Sequence, residues 1–388
     1  MASNLIDKII LNPLQRIIKD SRSVGLILFT CSICSLYIAN TSYGHSYIDS
    51  WNTAFHLPSF IHVPHTLLHW INDGLMALFF FLVGMEIKRE LLAGELASLQ
   101  KSILPLFAAV GGLIVPAIIF LLCNKGTIYQ PGWGIPMATD IAFSLGIASM
   151  LGKRVPTSLK IFLMALAIID DLGAILVIAL FYGAAIQWVY LSAGIFILLI
   201  LFFLPRLKIS FGWINYLLGI ALWYCIFNSG IHATIAGVLF AFTIPLQQLE
   251  KTEHRLQIPV NFFILPIFAL ANTAIVIPPD FTLALNTSLN YGISLGLVIG
   301  KPLGIISACF LLVQLKWSSL PEGVSWSQLI GAGILAGIGF TMSVFIALLA
   351  FNDAAVQDIA KVSVLIASLL AALIGYIWLY IMGKEAKS

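Results

Sequence analysis

Charged side chains are scarce in this sequence. Asp, Glu, Lys and Arg make up 10% of the 388 residues, and hydrophobic residues make up 60%. A soluble domain has about 25% charged residues and needs more polar side chains than this to cover its surface. The composition therefore excludes secreted, disordered and nucleic-acid-binding proteins. Because one crossing of a bilayer takes about 20 residues, the sequence predicts an all-α polytopic membrane protein with about twelve transmembrane helices.

Signals for a cofactor or a resident metal are also missing. The five cysteines lie in apolar runs, and the C-x-x-C formed by Cys31 and Cys34 has no second pair, so we interpret all five as packing residues. The histidines of residues 41–66 lack the spacing of a metal site. No Gly-rich phosphate loop precedes a basic or Ser/Thr signature. We therefore expect no cofactor.

The chain is predicted to form one transmembrane transporter domain, residues 24–383. A cytoplasmic amphipathic helix at residues 1–23 precedes it, and a cytoplasmic tail at residues 384–388 follows it. Apolar residues of the first stretch recur at helical spacing, but basic residues interrupt any continuous apolar core, which excludes a cleaved signal peptide. This pattern is typical of a helix that lies on the membrane surface.

The basic residues divide unevenly between the two ends of the predicted spans. Seventeen of the 20 Lys and Arg residues fall on one side; Lys125 and Lys361 fall on the other, and Lys301 lies within a span. Because cytoplasmic loops collect Lys and Arg, both termini are predicted to face the cytoplasm. The predicted span centres are roughly residues 31, 77, 113, 140, 170, 197, 221, 240, 268, 303, 339 and 371.

Four ionisable residues lie well inside predicted spans: Asp140, Asp170, Asp171 and Lys301. Each costs about 2.5 to 3.5 kcal/mol at the centre of an inserted helix. A buried ion pair that only fixes helix packing is one interpretation. One lysine does not neutralise three carboxylates, however, so the set favours a pathway for a cation or for protons.

Asp170 and Asp171 are adjacent, about 100° apart around a helix, and both can flank one cavity. Two close carboxylates repel each other, and a monovalent cation that enters between them displaces protons. Competition of this kind is the simplest physical route to the exchange of a cation for protons.

Two predicted spans contain helix-weakening residues. Pro136 follows Gly132 and Gly134 shortly before Asp140, and a later span contains Gly331, Gly333, Gly337 and Gly339. Gly- or Pro-interrupted spans in separate halves of a chain are typical of transporter sites. Charges at the ends of the half-helices need compensation, which Asp140 and Lys301 are placed to provide in opposite senses. Close packing through small residues is the alternative for the glycine-rich span.

Six motifs, in order along nearly the whole chain, resemble the NhaA-type sodium/proton antiporters of bacterial inner membranes. They are Trp70–Gly74, Val83–Leu91, Ala138–Phe143, Asp170–Ala174, Gly300–Gly304 and Gly337–Ser343. The resemblance implies an inverted-topology repeat in which the fourth and eleventh spans are interrupted and cross each other. It also implies a multi-pass inner-membrane protein that exports Na+ or Li+ and imports protons, driven by the proton gradient.

The resemblance assigns roles to individual residues. Asp170 and Asp171 match the carboxylates that bind Na+ or protons. Asp140, next to Thr139, matches the residue that compensates helix-end charge at the crossing. Lys301 matches the lysine that pairs with a site carboxylate, and either Asp170 or Asp140 is its partner here. Two carboxylates for one cation predict electrogenic exchange.

Members of this family are also regulated by pH at the cytoplasmic mouth, and they form homodimers. The matching sensor candidates are Glu86, Lys88, Arg89, Glu90, Glu253 and His254. Basic residues at these positions also follow from the topology alone. The homodimer is expected to form through the outer loop, residues 41–66.

Intramembrane carboxylates also occur in two other classes of membrane protein. An intramembrane aspartyl protease also uses two membrane aspartates, but on separate helices that face each other. The expected GxGD context is absent, since Phe340 follows Gly339. A passive cation channel is disfavoured because the sequence has no repeated carbonyl filter or ring of acids.

Overall fold

The structure is a computed structural model that describes residues 21–55, 58, 62–207, 209–277 and 285–383. Most of the predicted N-terminal amphipathic helix and the predicted tail at 384–388 lie outside the described residues. Apart from one isolated antiparallel bridge between Ala54 and Thr66, the described residues contain helices, turns and loops. The predicted all-α architecture is confirmed for this part of the chain.

Fourteen α-helical segments are labelled here in chain order. The first seven are α1 Ser21–Ala39, α2 Gly44–Trp51, α3 Leu67–Ala93, α4 Leu99–Cys123, α5 Ile141–Met150, α6 Thr157–Phe181 and α7 Trp188–Phe203. The second seven are α8 Trp213–Asn228, α9 Thr234–Thr243, α10 Leu246–Asn272, α11 Ser288–Gln314, α12 Trp326–Ala336, α13 Phe340–Ala350 and α14 Ala354–Met382.

Many of these helices are suited to a bilayer. Among the described helices, seven are long and apolar enough to cross one, namely α3, α4, α6, α7, α10, α11 and α14. The pair α12 and α13 meets the same criterion as one span bent by 43°, and α1, α8 and α9 are shorter apolar helices. Helices suit this environment because each satisfies its own backbone hydrogen bonds. The chain is therefore a multi-pass helical membrane protein, while the number of twelve spans stays a prediction.

The helical path is interrupted at the two places where Gly and Pro predict weakness. A 3₁₀ segment, Gln130–Met137, contains Pro136, and extended backbone follows it until α5 begins at Ile141. In the second place α12 ends at Ala336 and α13 begins at Phe340. Both breaks lie close to the predicted span centres near residues 140 and 339.

Three helices contain a stretch of π-helix: Trp70–Leu75 in α3, Val260–Ile264 in α10 and Gly296–Gly300 in α11. The last stretch ends directly before Lys301, and Pro302 follows. Because proline has no backbone N–H, it accommodates a change of helical hydrogen bonding at this point.

Close packing of α4 against α11 positions Lys301. A Cβ atom on Gly304 would meet the carbonyl oxygen of Gly111, and one on Gly111 would meet that of Gly304. The two backbones therefore touch directly, one helical turn from Lys301. The side chain of Lys301 is 0% exposed, so α11 delivers a charged group into the interior.

Candidate functional site

The centre of the site lies on α6, which carries Asp170 and Asp171 near its middle. They are 0% and 2% exposed, and both lie among apolar residues of the same helix. Nζ of Lys301 donates to Oδ2 of Asp170 and to the backbone carbonyl of Met137. Of the two partners that the sequence leaves open, the structure therefore selects Asp170.

Two carboxylate oxygens at this centre are buried without a partner. Oδ1 of Asp170 and Oδ1 of Asp171 receive no well-aligned hydrogen bond from the described residues, although the backbone and the hydroxyl of Thr139 lie close enough to the Asp170 carboxylate to stabilise its charge. A buried polar atom without a partner costs about 1 to 3 kcal/mol, and more when it is charged. Carboxylate oxygens are good ligands for hard cations and are also proton acceptors. The pair is thus chemically able to hold either a small cation or protons.

Asp140 caps two helices at once. Its Oδ1 accepts from the backbone N–H of Phe143 at 3.1 Å, in the first turn of α5. Its Oδ2 accepts from the backbone N–H and the hydroxyl of Thr341, at 3.2 and 2.5 Å, in the first turn of α13. Both helix N-termini present unpaired N–H groups and partial positive charge, which a carboxylate stabilises.

The carbonyl ends of the broken helices are also compensated. Lys301 donates to Met137 at the end of the 3₁₀ segment. The hydroxyl of Thr139 donates to the carbonyl of Ala336 at 2.8 Å, at the end of α12. The backbone N–H of Asp140 donates to the carbonyl of Ile338 at 2.7 Å. The two breaks therefore contact each other directly and exchange hydrogen bonds beside the carboxylate pair.

Comparison with known proteins identifies the family to which this sequence is similar. The sequence model of the family described as Na+/H+ antiporter 1 matches residues 15–379. A relative from Cytophaga hutchinsonii, named Na(+)/H(+) antiporter NhaA, is 48% identical over 380 residues, which cover 96% of each chain. The chain belongs to the NhaA family of Na+/H+ antiporters.

Two further NhaA relatives are similar over most of their length. The one from Flavobacterium psychrophilum is 48% identical over 365 residues, which cover 92% of this chain and 93% of the relative. One from Clostridium beijerinckii, named Na(+)/H(+) antiporter NhaA 1, is 45% identical over 389 residues, which cover 96% of each chain. The resemblance predicted from the six motifs is thus confirmed.

The structure brings together four of the six residues that the NhaA resemblance marks as pH-sensor candidates. Arg89 pairs with Oε1 of Glu253 and, at 3.1 Å, with Oε1 of Glu90. Glu86 lies one helical turn before Glu90 on α3 and interacts electrostatically with Glu253, Arg89 and Glu90. Asp171 also lies within electrostatic range of Glu86. Oε2 of Glu253 is buried and receives no hydrogen bond from the described chain.

The other two sensor candidates lie outside this cluster. Nζ of Lys88 donates to the carbonyls of Phe242 and Ile244, at 2.7 and 2.5 Å, and so caps the C-terminus of α9. The side chain of His254 is 70% exposed, and its closest ionic partner in the described residues is Glu250 at 3.9 Å. Lys88 therefore has a clear structural task, and His254 is a solvated residue.

Several groups at the site have no clear signal in the sequence. The hydroxyl of Ser368 on α14 accepts from the backbone N–H of Phe340, at 3.1 Å, and caps α13. The hydroxyl of Ser343 donates to the carbonyl of Ile135 at 2.7 Å. The carbonyl of Met137 is a backbone atom that every residue type offers. Ser343, like Thr341, is an exception, because both residues lie in the Gly337–Ser343 motif.

Proposed function

We propose that this chain is a secondary antiporter that exports Na+ or Li+ in exchange for protons across the bacterial inner membrane. Membership of the NhaA family supports this function. The single observation that carries it is the buried carboxylate pair with an unpartnered oxygen on each residue, Asp170 and Asp171.

Exchange follows from competition at these oxygens. With a cation bound, both carboxylates are charged. The bound cation and the positive charge of Lys301 together balance these two negative charges. When the cation leaves, protons neutralise the pair, because two buried charges of one sign repel each other strongly. A site that binds one cation or two protons moves more protons than cations in each cycle, so the exchange is electrogenic.

The architecture that we propose has twelve spans in inverted-topology repeats, with both termini in the cytoplasm. Each of the twelve predicted span centres falls in a helix described above or at one of the two breaks. The fourth span is the 3₁₀ segment with α5, and the eleventh is α12 with α13. The hydrogen bonds between Asp140 and Thr341 support a crossing of these two spans at their breaks.

We further propose that the four clustered groups, Glu86, Arg89, Glu90 and Glu253, regulate exchange by pH, and that outer residues 41–66 contribute to a homodimer. The cluster is suited to sensing because it holds three carboxylates against one guanidinium. A change in the charge of this cluster acts on the carboxylate pair through Glu86, which is within electrostatic range of Asp171.

No geometric observation favours a protease, since Asp170 and Asp171 lie on one helix and Asp170 is paired with Lys301.

Purified protein in liposomes that hold a pH-reporting dye tests the proposed function. After a proton gradient is imposed, Na+ and Li+ are expected to dissipate it rapidly, whereas K+ and choline are not. Asp171→Asn is expected to abolish the response, because it removes one of the two charges that attract the cation. The matched control, Asp358→Asn, alters a 41% exposed carboxylate on α14 and is expected to keep exchange. Robust Na+/H+ exchange by Asp171→Asn would contradict the mechanism.

A further inference from the structure

A cavity of about 600 Å³ opens at the ends of the helices that the charge distribution places outside the membrane. Asp73, Trp133, Tyr182, Phe227, His232 and Leu349 are among the residues that line it. No Lys or Arg occurs among the described lining residues. Its size falls in the range of ordinary ligand cavities, about 300 to 1,000 Å³.

An apolar layer separates this cavity from the carboxylate pair. From Asp171 to Tyr182 the helix axis rises about 16 Å. The buried side chains of Ile175 and Ile178, which lie between them on α6, belong to one apolar cluster with Ile135 of the 3₁₀ segment. These three buried isoleucines, called the outer plug here, offer no hydrogen-bonding side chain to water. A narrow apolar passage that water does not wet blocks a hydrated ion.

Tyr182, directly after α6, binds the 3₁₀ segment that carries Ile135 of the outer plug. Its hydroxyl accepts from the backbone N–H of Gly134 at 3.1 Å and donates to the carbonyl of Pro131 at 2.8 Å. Its ring stacks on Trp133, with centroids 6.4 Å apart. A Cβ atom on residue 134 would lie 2.7 Å from the tyrosine hydroxyl, so glycine is required for this approach.

The same residue also joins the loop between α8 and α9. The ring Nε2 of His232 donates to the backbone carbonyl of Tyr182 at 2.5 Å. Burial lowers the pKa of His232, which keeps the ring neutral with one N–H to donate. Burial raises the pKa of the Tyr182 hydroxyl, which therefore keeps the proton that it donates to Pro131. Tyr182 thus links three elements at the outer end of the molecule.

We propose, on the basis of the antiport function above, that Tyr182 is a positioning residue that holds the outer access route shut. Its hydroxyl fixes the Pro131–Gly134 turn to the end of α6 over the outer plug, and these two hydrogen bonds are called the Tyr182 latch. The 3₁₀ segment continues to Met137, the acceptor of Lys301, so the latch also connects the outer cavity to the carboxylate pair. Alternating access requires that this route opens in one part of the cycle, and opening it breaks the latch.

Cysteine labelling tests the latch without any need for ion exchange. The full chain, with its five native cysteines replaced, receives one cysteine at Ile178, in the outer plug. A charged, membrane-impermeant thiol reagent is then added from outside. Tyr182→Phe is expected to speed the labelling roughly three- to tenfold. The substitution removes the two hydrogen bonds of the Tyr182 latch, and each of them favours the closed state by roughly tenfold or less. Tyr47→Phe is the matched control, because it removes an outer tyrosine hydroxyl that donates to Ser35 at 2.9 Å, away from the cavity.

A second probe separates opening of the route from general loosening of the fold. Leu335 on α12 is 0% exposed and belongs to a different apolar cluster from the three isoleucines of the outer plug. A cysteine at this position is expected to label at an unchanged rate from outside. Equal acceleration at both positions, or a Tyr182→Phe rate equal to that of Tyr47→Phe, would overturn the proposal. Should Tyr182→Phe fail to fold, Gly134→Ala displaces the hydroxyl from the other side of the latch and is expected to give the same acceleration at position 178.

Transport kinetics give a second readout. Tyr182→Phe is expected to change the ratio of two apparent KM values, that for Na+ applied outside and that for Na+ applied inside, by roughly threefold or more. A merely structural defect lowers kcat equally from both sides and leaves this ratio unchanged. An equal change on the two sides would count against the latch. If labelling accelerates but neither the parent protein nor the variant exchanges Na+ for protons, the latch stands and the antiport function fails.

Discussion

At the scale of single residues, burial decides how much each charge matters. Lys301 and Asp170 are both 0% exposed and paired, whereas Lys361 and Asp358 on α14 have side chains 10% and 41% exposed. Loss of one partner of a buried pair leaves the other charge without compensation, which costs about 3 to 5 kcal/mol. Pairs with solvent access contribute about 0 to 1 kcal/mol.

Lys301→Ala is therefore expected to lower the free energy of unfolding by about 3 to 5 kcal/mol. Lys361→Ala, the matched control, is expected to lower it by about 1 kcal/mol or less through its ion pair. Thermal unfolding of the purified variants in detergent measures the difference as two shifts of Tm. Similar shifts for the two variants would show that Asp170 does not depend on Lys301 for its compensation.

The sequence identified the charged residues of the site but not their partners. A charge inside an apolar span is conspicuous because of its cost, so Asp140, Asp170, Asp171 and Lys301 stand out. The choice between Asp170 and Asp140 as the partner of Lys301 depends on how α11 packs against α6 and the first break, which no local pattern encodes. The same holds for Lys88, whose role as the cap of α9 rests on a contact between residues 154 positions apart.

At the scale of helices, direct contact between α4 and α11 fixes the position of Lys301. Gly111 and Gly304 leave no room for a side chain at their contact, because each Cβ would meet a backbone oxygen of the other helix. A backbone atom moves less easily to relieve a steric clash than the end of a side chain does. By contrast, a Cβ on Gly194 of α7 would meet only side chains, with Ile226 Cδ1 at 3.3 Å as the nearest atom.

Gly304→Ala is thus expected to destabilise the protein by about 1 to 3 kcal/mol, the usual cost of overpacking. It is also expected to slow exchange. Separation of α4 and α11 at Gly304 displaces Lys301, which lies one helical turn away on α11. Gly194→Ala is the control and is expected to be neutral or slightly stabilising, since alanine favours a helix by up to about 1 kcal/mol over glycine. Chemical or thermal unfolding, together with the liposome assay, checks both variants. A Gly304→Ala protein as stable as Gly194→Ala would contradict the close approach.

At the scale of the whole molecule, the carboxylate pair and the single lysine determine how much charge moves in a cycle. If two protons enter for each Na+ that leaves, one positive charge enters per cycle. An interior-negative potential therefore drives the exchange. This follows from the competition at Asp170 and Asp171 and does not depend on the regulatory cluster.

A potassium gradient with valinomycin, imposed on the reconstituted protein, tests this charge balance. A potential negative on the side that receives the protons is expected to accelerate exchange, and the opposite potential is expected to slow it. Liposomes with the Asp171→Asn variant correct for passive leak. Equal rates at both polarities would show that one proton moves for each cation.

The sequence by itself determined the helical class, the apolar segments, the two breaks and the charged residues of the site. These properties are local, since about 20 apolar residues match a bilayer and Pro or Gly weakens a helix wherever it stands. Only the tertiary structure decided that Asp140 caps α13 across 201 positions of sequence, that Lys301 pairs with Asp170, and that Tyr182 lies over the outer plug. Such contacts join segments far apart in the chain, and their geometry arises from the packing of whole helices.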